Sequence, residues 1–159
     1  MDREKLYYVL FEQQKDLNNE DNFVNRNITK RVLSFIYLKL PIVITGVRRS
    51  GKSTLLHIIK DHLKLKEKDF LYINFNDERL VNFEIEDFQK ILDYLTEQNY
   101  KENCPLFLDE IQETMEWEKW IDRIKEKHLI FITGSNSKLL SKEISTILTG
   151  RSISESLYP

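Results

Sequence analysis

The sequence predicts an α/β domain in three layers, a mostly parallel central sheet of about five strands with helices on both faces. Three observations point there. Short apolar runs at 42–45, 70–75, 105–108 and 129–133 alternate with stretches whose apolar residues recur at helical spacing. Several of these runs stop abruptly at glycine, small polar or acidic residues, where parallel sheets of this class carry their ligand-binding loops. The only four glycines, Gly46, Gly51, Gly134 and Gly150, stand beside such ends or between helix and strand rather than inside elements.

At 159 residues and 41% hydrophobic, the chain can bury a single proper core. Its net charge of −2 comes from interspersed acids and bases, so no basic stripe announces nucleic acid. Cys104 has no second cysteine to pair with and precedes an apolar run, which predicts a buried structural thiol and a reducing, cytoplasmic setting. His57, His62 and His128 lack the spacing of a zinc site. No apolar run is long enough to span a bilayer, and the N-terminus has no signal-peptide core.

In chain order, Leu6, Val9, Leu10 and Leu17 share one helical face, with Tyr7 and Phe11 alongside, so residues 3–17 form an amphipathic helix. The polar run from Asn18 to Asn22 ends it, and Ile28, Val32, Phe35 and Ile36 begin a second helix leading to Pro41. Residues 1–40 thus read as an N-terminal helical segment ahead of a core at 41–159. The segment either packs on that core or serves as a partner surface, and packing is favoured. A first strand at 42–45 gives way to a helix fading near Leu65, then to a strand at 70–75 of aromatic and β-branched character. The loop Asn76-Asp77-Glu78-Arg79 reads as a solvated turn in preference to the outer wall of a ligand site. Ile85, Phe88, Ile91, Leu92 and Leu95 mark a helix of about four turns. After the strand ahead of Asp109, Trp117, Trp120, Ile121 and Ile124 recur at i, i+3, i+4 and i+7, so the tryptophans are packing residues rather than a base-stacking platform. A fourth strand at 129–133, a helix through Leu140, Ile144, Ile147 and Leu148, and a short fifth strand within 152–158 complete the map.

The chemistry concentrates at 42–59. Gly46-Val47-Arg48-Arg49-Ser50-Gly51-Lys52-Ser53-Thr54 follows an apolar strand, opens a helix and has the Walker A order G-x-x-x-x-G-K-[ST]. Gly46 permits a sharp turn, and Gly51 lets backbone approach a phosphate where a Cβ would collide. Loop amides and the positive end of the following helix then face the phosphates. Lys52 would reach the β- and γ-phosphates and the Ser53 hydroxyl would bind Mg²⁺. Arg48 and Arg49 either touch phosphate or face solvent. The second signal is Leu106-Phe107-Leu108-Asp109-Glu110, a buried strand ending in adjacent carboxylates, a Walker B pattern. Asp109 is assigned to the metal through a water ligand and Glu110 to the attacking water as general base. Gln112 either touches the same site or is a plain loop residue.

With these motifs in this order, residues 24–159 resemble a P-loop ATPase of the AAA+ superfamily, and more narrowly the archaeal and bacterial AAA-type ATPases that carry a further C-terminal part. Ile132-Thr133-Gly134-Ser135-Asn136 with Leu139-Leu140, and Leu148-Thr149-Gly150-Arg151 running to Pro159, carry the rest of the likeness. The resemblance implies a P-loop NTPase fold with the fourth strand between the two motif strands, ATP and Mg²⁺ as cofactors, and a water-orienting residue at the fourth strand's end. That residue is Ser135 or Asn136, with Thr133 a third candidate. Arg151 is implied as a finger toward a neighbouring subunit in a homo-oligomer, or else it caps a helix end. The family's helical lid and C-terminal domain lie beyond Pro159, so the chain is expected to hold the nucleotide-binding core alone, any DNA or protein partner being met through the absent part. An ATPase core is the leading function and a nucleotide-operated switch with negligible turnover the alternative. Both Lys52 and Glu110 are present, which favours turnover. A small-molecule kinase is weaker, since no acceptor-binding lid is recognisable.

Overall fold

The computed structural model describes residues 1–18, 27–135, 139 and 152–157. Its elements run α1 (Arg3–Asn18), α2 (Asn27–Ser34), β1 (Ile42–Gly46), α3 (Lys52–His62), β2 (Leu71–Asn74), α4 (Asp87–Glu97), β3 (Leu106–Asp109), α5 (Trp117–Ile124), β4 (Ile130–Gly134) and β5 (Ile153–Leu157). The helix expected through Leu140 to Leu148 lies outside the described residues. The five strands form one all-parallel sheet in the order β2-β3-β4-β1-β5, so β4 does lie between β1 and β3.

The three central strands, β3, β4 and β1, are buried on both faces, which is why they read as continuous apolar runs, whereas the edge strand β5 alternates. One face carries Ile42, Ile44, Phe70, Tyr72, Phe107 and Phe131 against Leu55, Leu56 and Ile59 of α3 and Val32 of α2. There the Phe107 and Phe131 rings stack with centroids 4.9 Å apart. The opposite face carries Leu71, Ile73, Leu106, Leu108, Ile130 and Ile132 against Phe88 and Ile91 of α4 and Trp117, Trp120, Ile121 and Ile124 of α5. Phe88 stacks on Trp120 at 4.4 Å, so the tryptophans do pack. Each such fully buried side chain contributes about 1.5–3 kcal/mol. The helix at 87–97 has eleven residues, three turns instead of four, because the chain at Ile85 is still in a turn stabilised by the Asp87 carboxylate accepting from the Glu84 amide. Cys104 is buried, and that burial pushes its thiol up to about 12, so it is an inert core residue. No described helix is long and apolar enough to cross a membrane.

Helix α1 lies along the outer edge of β2. Leu6, Val9 and Leu10 join the α4–α5 side of the core while Leu17 joins the other side. Between them two adjacent buried glutamines pair with the strand's backbone. Gln14 accepts from the Tyr72 amide at 3.0 Å and donates to the Phe70 and Glu67 carbonyls at 3.1 Å each. Gln13 accepts from the Asn74 amide at 3.0 Å and donates to the Asn74 carbonyl at 3.1 Å. The amides thereby imitate a sixth strand and satisfy groups an edge would leave open. Gln14→Met keeps the volume but orphans a buried N–H and carbonyls. At about 1–3 kcal/mol for each group left without a partner, the expected loss is at least about 2 kcal/mol of unfolding free energy, read from the urea midpoint.

Candidate functional site

The loop between β1 and α3 is shaped by its glycines. A Cβ on Gly46 would stand 2.6 Å from both the Leu157 carbonyl oxygen and the Ser50 hydroxyl, so strand β5 and the loop close around it. Gly51 has φ 89° and Arg49 φ 65°, which fold the loop back onto the start of α3. Val47, Arg48 and Arg49 project outward, Ser50 is buried, and Ser53 is exposed in the first turn of α3 beside half-buried Thr54. Lys52 is 4% exposed and folds back across the loop, donating to the Gly46 carbonyl at 3.3 Å and the Val47 carbonyl at 3.2 Å.

Its third partner comes from β3. Lys52 Nζ lies 3.3 Å from Glu110 Oε1, and Gln112 Nε2 donates to Glu110 Oε2 at 2.5 Å. Glu110 adopts a left-handed conformation with φ 52°, an uncommon and costly backbone for glutamate, fixed by its own N–H donating to the Thr133 hydroxyl at 3.0 Å. This kink takes the chain off the strand and aims the carboxylate back at Lys52. Asp109, one residue earlier, is 1% exposed and receives hydroxyl hydrogen bonds from Tyr72 at 2.9 Å and from Thr133. Gln112 lies over the end of β4, where a Cβ on Gly134 would meet its Oε1.

These groups line a cleft of about 480 Å³ at the carboxyl ends of the strands, walled by Arg48, Lys52, Ser53, Asp109, Glu110 and Ser135 together with Asn74, Asn76, Gln112 and Glu113. The first loop, the paired acids and the end of β4 are therefore brought together. Of the first loop only Arg48, Lys52 and Ser53 line the cleft; Gly46, Val47, Arg49, Ser50, Gly51 and Thr54 do not, and Thr133 is fully buried beneath it, its hydroxyl engaged by Asp109 and the Glu110 amide. Asn136 and Arg151 lie outside the described residues. Asn76, just past the end of β2, is exposed as a solvated turn would have it and also borders the cleft, because β2 ends beside β3. The next residue, Asp77, is held by Arg79, whose guanidinium brings its carboxyl down to about 2, with Gln13 Nε2 donating at 3.0 Å. That pairing stabilises the wall at pH above about 4, and its contribution is lost as pH falls toward 2. Tyr72, bonded to Asp109, and Asn74, at the cleft wall, are not marked by any sequence motif. Strand alternation marks their face, but only the register Asn74↔Asp109 sets them beside the acids.

A phosphate-loop geometry at β1 and an acid pair at β3, joined across a parallel sheet, define a P-loop NTPase-like α/β protein. Residues 38–159 match a family model described as an AAA domain, and the chain belongs to that family. It is 38% identical over 161 residues to an uncharacterized protein of Methanocaldococcus jannaschii, MJ1544, covering all of this chain and 34% of that protein. An uncharacterized protein of Haemophilus influenzae is 34% identical over 151 residues, covering 91% of this chain and 36% of that protein. The chain thus spans about a third of the length of the relatives it matches.

Proposed function

We propose that the chain is a Mg²⁺-dependent ATPase core whose hydrolysis is coupled to the remainder of a longer protein. The observation that carries this reading is the buried Lys52 ammonium 3.3 Å from Glu110, at a cleft that also exposes the Ser53 hydroxyl. In this reading the Gly46–Thr54 loop and Lys52 grip the β- and γ-phosphates, and Lys52 exchanges its bond to Glu110 for phosphate oxygen. Glu110, released, takes a proton from the attacking water as the water's oxygen bonds to γ-phosphorus and the β–γ bridging bond breaks. Ser135, at the cleft, orients that water, alone or with Asn136.

The donor set fits Mg²⁺. Ser53 and Asp109 offer hard oxygens, and no cluster of three or more His, Cys, Asp or Glu among the described residues forms a dedicated cage. Magnesium characteristically takes one or two protein oxygens plus substrate phosphates. Asp109, Glu110 and Glu113 would repel a bare triphosphate from their side of the cleft, and Mg²⁺ held there supplies the charge that neutralises both. The test is ATP binding and phosphate release by this chain in Mg²⁺ and in excess EDTA. Tight binding and release that both require Mg²⁺ are expected. Binding indifferent to Mg²⁺, with no phosphate released, would overturn the reading.

A further inference from the structure

We propose that Tyr72 is a positioning residue for the divalent cation, acting by fixing the Asp109 carboxylate. The inference rests on the reading of Asp109 as the metal-side acid. Asp109 is the middle member of a contact across three neighbouring strands: Tyr72 of β2 donates to Oδ2 at 2.9 Å, and Thr133 of β4 donates to Oδ1. Each carboxylate oxygen has two lone-pair sites, so one hydroxyl on each leaves one on each for a metal-bound water. Rotation of the carboxylate breaks both bonds, so the pair locks its plane.

The two donors are matched to the distances they span. Thr133 lies one step past the register pair Leu108↔Ile132, directly beside Asp109, where a short side chain reaches. The residue opposite Asp109 on β2 is Asn74, whereas Tyr72 sits opposite Phe107, two residues back on the same face. A side chain at 72 must therefore cover a diagonal of about 7 Å, which a phenol spans and a serine or threonine does not. The Tyr72 ring is itself packed edge-on against His57, with centroids 6.0 Å apart. His57 is a buried residue of α3, the helix whose first turn carries Ser53, so one tyrosine ties the helix to the acid. Outer contacts of this kind around a metal site set metal affinity by about 10- to 100-fold.

Tyr72→Phe keeps the ring and removes only the donor. The readouts are Mn²⁺ retention by the chain with a non-hydrolysable ATP analogue, followed by electron paramagnetic resonance, and analogue affinity in EDTA. About a tenfold or greater loss of Mn²⁺ affinity, with analogue affinity in EDTA unchanged, is expected. The same substitution in an Asp109→Asn background should cost nothing further, because the acid it positions is gone. Wild-type Mn²⁺ affinity in Tyr72→Phe, or an equal loss in both backgrounds, would overturn the proposal and leave the Asp109 reading standing. Failure of the unsubstituted chain to retain Mn²⁺ with the analogue would overturn that reading and this proposal with it. If Tyr72→Phe fails to fold, Thr133→Val against Thr133→Ser applies the same measurement from β4. Loss in the valine variant alone supports the hydroxyl clamp, and unchanged Mn²⁺ affinity in the valine variant refutes it.

Discussion

Glu110→Gln should leave ATP bound and lower turnover by roughly 10²- to 10⁴-fold, the contribution typical of a general base. The side chain is isosteric, so the left-handed turn at 110 and the hydrogen bond from its amide to Thr133 are kept. What is lost is the carboxylate's capacity to accept a proton. Binding should hold or tighten slightly, because neutral glutamine no longer competes with phosphate for the Lys52 ammonium 3.3 Å away. Single-turnover phosphate release, paired with equilibrium binding of ATP, separates the two effects. Turnover at the unsubstituted rate would place the base elsewhere.

Lys52→Ala should have the opposite signature, a fall in ATP affinity of roughly 100-fold or more with the fold retained. A buried ammonium aimed at phosphate forms charge-assisted bonds, and two such bonds at about 1.5–3 kcal/mol each account for a loss of that order. The fold survives because Glu110 is 24% exposed and can be solvated once its cation is gone. Calorimetric titration with Mg·ATP and a thermal melt, run on the same sample, check both halves. Unchanged affinity would remove the phosphate-loop assignment.

Most of the sheet was legible because β1 to β4 are buried apolar runs cut off by residues that cannot continue them, and the motifs stand at those cuts. Helix ends were less so: Ile85 satisfies the apolar period but lies before Asp87, where α4 begins. What eluded the sequence depends on contacts between elements. Thr133 shared the end of β4 with Ser135 and Asn136 as candidates for one role, and nothing in their order distinguishes a hydroxyl buried against Asp109 from one facing the cleft. Tyr72 reads as one more core aromatic until register sets it diagonal to the acid. Gln13 and Gln14 look like a polar interruption of an apolar helix face, because their partners are strand amides some sixty residues away.

Those two glutamines also bear on where the chain can be cut. The family match begins at residue 38, yet α1, which precedes it, shields one flank of the sheet. A piece starting there would keep the whole Gly46–Ser53 loop and the paired acids and present β2 as an open template for intermolecular pairing. Self-association of such a piece would follow from a bared flank rather than from any oligomer made for catalysis.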